Sequence, residues 1–312
     1  MRRYILTTLF TFSLIFILFP AMSYGISMVI QQFSVPYQWL VLVIALFIMG
    51  ILSGALSAFT FYARLFPALG YKVYEVEKPK LPFNHVIKDR WKDIITITLL
   101  ANILNIALYA WFIYVSSDIL MNWQAIIQFF LCFFILDAWF YWSHAIFHHL
   151  KRLFLIHKTH HIILVHEQVP FITKPLDDLV IPTLSFVVAF LILNFIVGEM
   201  YTFIIIYLYS IWFFLIVPAG HSNVEFFTPP VRWLLGGPWL STSVTYHSLH
   251  HTRFKENYGA WSMLWDRLMG TVSPDYEAIY QRVINEQPLT SIRERLDVKP
   301  VEPPSDSPSE PL

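Results

Sequence analysis

Residues 137–161 read DAWFYWSHAIFHHLKRLFLIHKTHH, and this stretch decides how the chain is organised. His144 and His148 are four residues apart, while His157, His160 and His161 are separated by three and four residues. Residues three and four apart share one face of a helix. The spacing therefore predicts helical segments that point five imidazole rings at one place.

So dense a group of imidazoles needs a shared partner, because neutral rings carry lone pairs and protonated rings repel one another. Histidine is the commonest metal ligand, and imidazole suits zinc, copper, iron and nickel. The chain has 12 histidines and one cysteine, Cys132, which excludes an internal disulfide and a cysteine-held iron–sulfur cluster. We therefore predict a metal site built from nitrogen and oxygen ligands.

The composition indicates a polytopic membrane protein. Of the 312 residues, 56% are hydrophobic and only 13% are charged, whereas soluble domains carry about one quarter charged residues. The formal net charge is zero, so the charge gives no reason to expect nucleic acid as a partner.

Apolar runs of about 20 residues predict membrane spans. We expect an all-α fold of about six transmembrane helices in hairpins, with spans at 4–23, 37–62, 94–115 and 123–143 and two more within 179–217, separated near Gly198-Glu199. The first run also has some features of a cleaved signal peptide, but an uncleaved span is the preferred interpretation. From Asp297 onward, proline, serine and acidic residues predict a disordered tail.

The distribution of basic residues predicts the orientation. Segments 24–36, 116–122 and 198–200 contain no Lys or Arg, whereas the N-terminus, residues 64–92, residues 151–174 and the chain after 218 are basic. Basic loops stay in the cytoplasm. All the histidines are therefore expected on the cytoplasmic side, in a helical cap.

A third set, His247, His250 and His251, repeats the spacing of three and four, and His221 precedes it. With the five earlier rings these make nine histidines. Glu225, one helical turn beyond His221, or Asn223 is a candidate oxygen ligand. One ion cannot use so many ligands. If the segments converge, the number predicts a dinuclear site.

These motifs together resemble the fatty acid hydroxylase and sterol desaturase superfamily, the histidine-rich diiron oxygenases of membranes. The resemblance covers about residues 90–275 and is carried by Asp137-x-x-x-Tyr141-Trp142-x-His144-x-x-x-His148, His157-x-x-His160-His161, His221-Ser-Asn, His247-x-x-His250-His251, Asn257-Tyr258-Gly259 and Trp265-Asp266-Arg267-Leu268-Met269-Gly270-Thr271. Two positions depart from it. Ala145 stands where many members have Arg, and Glu225 stands where some have another histidine.

The resemblance implies two iron ions (Fe²⁺/Fe³⁺), molecular oxygen, and hydroxylation or desaturation of a sterol or fatty acyl lipid. The implied metal ligands are His144, His148, His157, His160, His161, His221, His247, His250 and His251, with Glu225 as a further candidate. The sequence has no recognisable flavin, nicotinamide or haem module. Electrons are therefore expected from an external reductase or electron carrier.

Other interpretations stay open at this point. Membrane metal transporters and metal-storing proteins also cluster histidines, and a relative holding zinc in place of iron would not be an oxygenase. Asp137 is either an outer partner of a ligand histidine or a helix–helix contact, because a carboxylate inside a span is costly and usually functional. Asp266 either orients a ligand or pairs with Arg267 in the cap. We expect His149, His166 and His85 to lie outside the ligand set.

The predicted organisation has three parts. Residues 1–92 form an N-terminal transmembrane hairpin with a basic loop, residues 93–280 form the catalytic domain, and residues 281–312 form a C-terminal segment with the disordered tail.

Overall fold

The computed structural model describes residues 1–34, 69–75, 123–162, 164–165, 175–198 and 200–297, together with positions 37, 38, 40–42, 44, 45, 48, 92, 96, 115 and 116. Apart from such isolated positions and residues 69–75, the predicted second and third spans and the basic stretch between them lie outside the described residues. His85, His166, Glu199 and the tail after Asp297 also lie outside them.

Helices dominate the described part of the chain, as predicted. The α-helices are Arg2–Ser13, Phe19–Gln31, Trp123–His149, Lys151–His157, Pro175–Asp178, Leu184–Val197, Thr202–Ile211, Val217–Gly220, Pro229–Leu234, Gly237–Leu240, Val244–Arg253, Leu264–Met269 and Tyr276–Ile284. Wider π-helical turns at Leu14–Leu18, Leu179–Thr183 and Trp212–Ile216 connect consecutive α-helices, and His160–Ile162 forms a 3₁₀ turn.

Three helices in the described ranges are long and apolar enough to cross a membrane: Arg2–Gln31, Trp123–His149 and Leu179–Val197. The helix Thr202–Ile211 is apolar but shorter. Six spans therefore stay a prediction. Two helices extend beyond the predicted spans, because the first continues past residue 23 to Gln31 and the other continues past Ser143 to His149. His144 and His148 consequently lie in the last turns of the same helix as the candidate span.

The apolar run 179–217 is divided at the predicted place. The helix ending at Val197 is capped by Gly198, whose φ of 82° lies in the left-handed region that glycine adopts without a steric penalty. The next helix begins at Thr202.

Two short sheets were not predicted. Strand β1 (Tyr71–Lys72) pairs antiparallel with β4 (Val224–Glu225), and β2 (Val115–Ser116) pairs parallel with β3 (Met200–Tyr201). The backbone of Leu289 bonds to Val73 and Glu75. Segment 69–75 is thereby held between residues just after His221 and the C-terminal segment.

Apolar packing positions the helices that carry the histidines. Trp123–His149 packs along Leu184–Val197, with Leu136, Phe190 and Tyr209 in one core. A second core contains Tyr246 and Leu249 of the helix Val244–Arg253. That helix therefore has a fixed orientation, with a buried apolar face beside its three histidines.

Candidate metal centre

The nine predicted histidines converge in two groups. Five of them have ligand nitrogens that all lie within 4.8 Å of one another: His144, His148, His157, His161 and His250. Four others meet the same criterion: His160, His221, His247 and His251. We refer to these as the five-histidine group and the four-histidine group.

The two groups are neighbours. Ring centroids are 4.7 Å apart between His161 and His251 and 5.2 Å apart between His157 and His160, and each of these pairs joins one group to the other. Three segments contribute to the contact: the end of the helix Lys151–His157, the 3₁₀ turn that follows it, and the helix Val244–Arg253. The arrangement fits two adjacent metal ions, as the number of histidines predicted.

Local geometry decides which group each ring joins. On the helix Val244–Arg253, His247 and His251 are one turn apart and face the four-histidine group, whereas His250 faces the five-histidine group. The sequence neighbours His160 and His161 also separate, within the 3₁₀ turn. This helix and this turn therefore lie between the two groups.

Outer contacts fix the orientation of four rings. Nδ1 of His144 bonds to the carbonyl of Tyr258 at 2.7 Å, and Nδ1 of His157 bonds to the carboxylate of Asp177 at 2.7 Å. Nδ1 of His221 and of His250 bond to the carbonyls of Val217 and Glu256. Carbonyl and carboxylate oxygens accept, so the ring proton is on Nδ1 and the lone pair is on Nε2. Partners of this kind set the tautomer of metal-binding histidines.

The Nε2 atoms then face one another. The Nε2–Nε2 distances are 3.0 Å between His144 and His157 and 3.2 Å between His221 and His247. In the first pair both rings carry their proton on Nδ1, and in the second pair at least the His221 ring does. The space between the Nε2 atoms is therefore rich in lone pairs. In the five-histidine group, the buried Nε2 of His250 has no hydrogen-bond partner. A cation that accepts several nitrogen ligands fits this donor set.

Four rings outside the spanning helices, those of His160, His161, His221 and His250, are neutral at physiological pH. Burial lowers the pKa of His221 to about 4 and that of His250 to about 3. Burial and the neighbouring imidazoles hold the pKa of His160 and of His161 well below the ordinary range. Neutral imidazole is the form that binds metal ions, so these rings are ready to act as ligands.

An apolar cavity is lined in part by the histidines. Its walls include Phe140, Ile181, Trp212 and Ile216, together with His144, His157, His160, His221 and His247. Two other polar wall residues have partners, since Thr242 donates to the carbonyl of Ala260 and Ser243 Oγ accepts from the backbone of Tyr246. Away from the histidines and Asp177, the cavity therefore offers mainly apolar contact.

Comparison with known families agrees with this geometry. Residues 129–271, which contain all nine histidines, match the model of the fatty acid hydroxylase family. Residues 129–271 thus form a domain of the fatty acid hydroxylase and sterol desaturase superfamily. The resemblance inferred from the sequence motifs is thereby confirmed.

Similar proteins occur in plants. The chain is 27% identical over 219 residues to Protein CER1-like 1 of Arabidopsis thaliana, which covers 66% of this chain and 32% of that protein. It is 26% identical over 152 residues to the very-long-chain aldehyde decarbonylase CER1 of Arabidopsis thaliana, covering 46% and 23%. It is 29% identical over 149 residues to the very-long-chain aldehyde decarbonylase GL1-5 of Oryza sativa subsp. indica, again covering 46% and 23%.

The chain thus spans a third or less of the length of these relatives. No solved structure matches it.

Glu225 is placed outside both histidine groups. Its carboxylate is buried and accepts the backbone N–H groups of Phe227 and Thr245, at 2.9 and 2.8 Å. It therefore stabilises the first turn of the helix that carries His247, where a carboxylate is favourable. Asn223 is also engaged elsewhere, because its side chain bonds to the backbone of Tyr74.

The two acidic residues in the superfamily motifs have separate tasks. Asp137 accepts from the backbone N–H and the hydroxyl of Ser262, at 2.9 and 2.7 Å, so it ties the spanning helix to the loop before Leu264–Met269. Asp266 accepts from the backbone N–H groups of Tyr258 and Gly259 and from the hydroxyl of Thr271. Burial raises the pKa of Asp266, and these hydrogen bonds offset part of the rise.

Asp266 is thereby linked to the histidines by one intermediate residue, because the carbonyl of Tyr258 bonds to Nδ1 of His144. The alternative pairing with Arg267 is not formed, because the Arg267 guanidinium donates to the carbonyls of Pro238 and Trp239.

Asp177 was missed in the sequence. It lies 16 residues after His161, at the start of the helix that leads into the third candidate span. The only signal was an acidic residue immediately before an apolar run, a position that is common without any metal nearby. His149 is exposed and belongs to neither group, as expected.

Proposed function

We propose that this chain is a membrane-bound metal-dependent oxidoreductase that modifies a long-chain lipid, with two iron ions held by the nine histidines. One observation carries the proposal: two adjacent groups of buried histidines, four of them oriented by outer hydrogen bonds, lie next to an apolar cavity whose lining includes residues of two candidate membrane spans. An apolar substrate could reach such a cavity directly from the bilayer.

The five-histidine and four-histidine groups would each hold one ion. Nitrogen-only coordination suits iron, zinc and copper. Iron is proposed because the fatty acid hydroxylase family model matches and because an unactivated carbon–hydrogen bond calls for redox chemistry. When bound, the two ions would supply the electron transfer that activates molecular oxygen.

The residues of this chain contribute position and environment. Phe140, Trp212 and Ile216 would hold an acyl or alkyl chain by apolar contact and keep water away from the reacting carbon. Asp177 and the Tyr258 carbonyl keep two ligand rings in one orientation. A shift of the substrate by about 1 Å changes which carbon reacts, so the cavity wall decides the product.

Hydroxylation or desaturation of a fatty acyl or sterol lipid is the leading reaction. Conversion of a long-chain aldehyde is a second candidate, because two of the relatives are named very-long-chain aldehyde decarbonylases. Either reaction would draw electrons from a separate reductase or carrier. The basic loops support placing the metal centre on the cytoplasmic side, where such partners are found.

The decisive experiment follows labelled substrate in cells. Cells that express the chain, the His160→Ala variant or the His149→Ala control receive deuterated fatty acids, aldehydes and sterols under ¹⁸O₂. Hydroxylation places ¹⁸O in the lipid, desaturation removes two deuterons without adding ¹⁸O, and aldehyde decarbonylation gives a product one carbon shorter.

We expect one of these products with the unsubstituted chain and with His149→Ala, and none with His160→Ala. The iron content of the three purified proteins is measured in parallel with the lipid products. An unchanged lipid profile with all three proteins, despite equal expression, would reject the enzymatic proposal. Metal that moves across vesicle membranes without oxygen consumption would instead favour a transporter, and zinc in protein purified without a metal-affinity column would favour the zinc-bound relative.

A further inference from the structure

An exposed apolar surface lies beside the metal centre and takes no part in it. Six large apolar side chains in two short segments are exposed, with 72% of Trp233, 67% of Trp239 and 66% of Leu268 accessible. The others are Leu234, Leu240 and Met269. We call these six residues the apolar rim. Contiguous apolar patches on a protein surface usually mark a contact with another apolar phase.

The backbone brings the two segments together. Consecutive glycines, Gly236 and Gly237, have φ values of 103° and 70°, which reverses the chain between the helices Pro229–Leu234 and Gly237–Leu240. The backbone N–H of Met263 then bonds to the carbonyl of Leu240. This joins Gly237–Leu240 to the start of Leu264–Met269.

Charge is kept away from the rim. No residue between Arg232 and Tyr246 is ionisable, and Arg232 itself is buried against Glu277. A neighbouring cation among the described residues, Arg267, donates to the carbonyls of Pro238 and Trp239 and lies 4.5 Å from the Trp239 ring. These hydrogen bonds satisfy two backbone carbonyls at the end of a short helix. Without Arg267, the two carbonyls would lie unpaired on a poorly hydrated surface.

Two candidate spans hold the rim at a defined depth. The hydroxyl of Thr228, just before Pro229–Leu234, is 2.8 Å from that of Thr8 in the first helix. Trp265, in Leu264–Met269, packs against Phe134 and Trp142 of the helix Trp123–His149. At 1.5 Å per residue, Thr8 and Trp142 each lie about 10 Å inside the near end of their helix, and Phe134 lies about 12 Å deeper. The segments that carry the rim therefore contact the two helices from a depth of about 10 Å inward.

That depth is the edge of the membrane. The 30-residue and 27-residue helices measure about 45 and 40 Å, whereas the hydrocarbon core is about 30 Å thick. Arg2 and the histidines occupy the near ends of these helices, so the excess length lies there. Thr8 and Trp142 thus sit close to the boundary between headgroups and acyl chains, where tryptophan is enriched.

We infer that the apolar rim is inserted into the headgroup–acyl boundary of the membrane and that lipid acyl chains are its partner. Lipid is favoured over another protein because the rim is continuous with side chains of the spanning helix, Phe134 and Trp142, which are themselves exposed. The chain then passes from Leu240 on the rim to Thr242 and Val244 in the cavity wall. Only a few residues separate membrane lipid from the cavity at this point. The inference does not depend on the proposed reaction.

Site-directed fluorescence tests it on the full chain. The native thiol, Cys132, is fully buried, so a thiol-reactive bimane reports on one introduced cysteine, with the unsubstituted chain as the background control. Leu268→Cys and Met269→Cys place the probe on the rim, and Lys255→Cys places it at an exposed polar position. Each protein enters nanodiscs, one chain per disc, with plain lipid or lipid brominated in the upper acyl chain.

We expect the brominated lipid to quench the probes at 268 and 269 at least about twofold more than the probe at 255, because only rim positions contact acyl chains. Equal quenching at all three positions would overturn the inference. This holds whether the emission wavelength of the rim probes indicates contact with water or with a protein interior. Trp239→Cys repeats the measurement on the other segment, and a single peak in size-exclusion chromatography with unchanged metal content verifies the fold of every variant.

Discussion

The carboxylate of Asp177 accepts a hydrogen bond from Nδ1 of His157 at 2.7 Å, and both side chains are buried. Asp177 belongs to the helix that leads into one candidate span, whereas His157 follows another, so the bond joins two spans at the metal centre. The carboxylate fixes the ring with Nε2 toward His144 and His161.

Asp177→Ala is therefore expected to weaken metal binding in the five-histidine group by about 10- to 100-fold. Competition with a chromogenic chelator measures the affinity. Asp177→Asn keeps an acceptor oxygen without the charge and should fall between the alanine variant and the original chain. Equal affinity in all three proteins would mean that the carboxylate does not orient the ring.

Acid should destabilise the metal-free protein. In the unfolded chain His221 takes up a proton as the pH falls through about 6.5, whereas in the folded chain it does so only near a pKa of about 4. Stability is therefore full at neutral pH and is lost between these values, by about 2 kcal/mol at pH 5 for this residue alone.

Thermal unfolding of metal-free protein at pH 7 and pH 5 measures this loss. His221→Phe removes the titrating group and should reduce the difference, whereas His149→Ala should leave it unchanged. A midpoint that is the same at both pH values would show that His221 is accessible to protons in the folded chain.

Gly259 has no room for a side chain. A Cβ at this position would lie 2.3 Å from the carbonyl oxygen of Ser262 and 2.9 Å from Oδ2 of Asp266. Gly259→Ala should displace the Tyr258–Gly259 backbone and lower stability by about 1–3 kcal/mol. Because the Tyr258 carbonyl orients His144, metal affinity should fall as well.

Gly25→Ala is the matched control, because nothing lies within 4 Å of a Cβ there and the residue is inside a helix. It should be neutral or stabilise the protein by less than about 1 kcal/mol. Both variants are compared by thermal unfolding and metal content. Equal behaviour of the two would contradict the packing described around Gly259.

A buried ion pair fastens the helix that carries three of the histidines. Arg253 donates to both carboxylate oxygens of Asp275, and both side chains are almost fully buried. Asp275→Ala leaves the buried guanidinium without its bidentate carboxylate and with Glu256 as its remaining ion-pair partner among the described residues, and should cost about 3 kcal/mol, because a poorly paired buried charge is strongly unfavourable.

Arg295→Ala serves as the comparison. It removes an ion pair with Glu256 whose arginine is half exposed, and such pairs contribute less than about 1 kcal/mol. Chemical denaturation in detergent measures both variants. A larger loss for Arg295→Ala than for Asp275→Ala would overturn this ranking.

The sequence was sufficient for the histidines because their spacing is itself structural information. His144 with His148, and His247 with His251, are one helical turn apart, and the helices form as that spacing requires. The assignment of His160 and His161 to different groups was not predictable, since it depends on the 3₁₀ turn that contains them. Asp177 could not be found because its contact arises from the packing of two spans.

Glu225 shows where reasoning from local spacing alone fails. We placed it one helical turn beyond His221, but the helix ends at Gly220 and Asn223 has a φ of 58°. The chain continues as strand β4, so Glu225 points to the backbone of Thr245 instead of the metal centre. Of the six predicted spans, the described residues contain three that meet the length and composition requirements.

The π-helical turn Trp212–Ile216 makes the position of His221 sensitive to chain length. One residue fewer would convert the turn to ordinary α-helix and rotate everything after it by about 100°. Val217 would leave the cavity, and the His221 ring would face away from His160 and His247. The insertion of a single residue into one apolar helix thus sets the angular register that closes the four-histidine group.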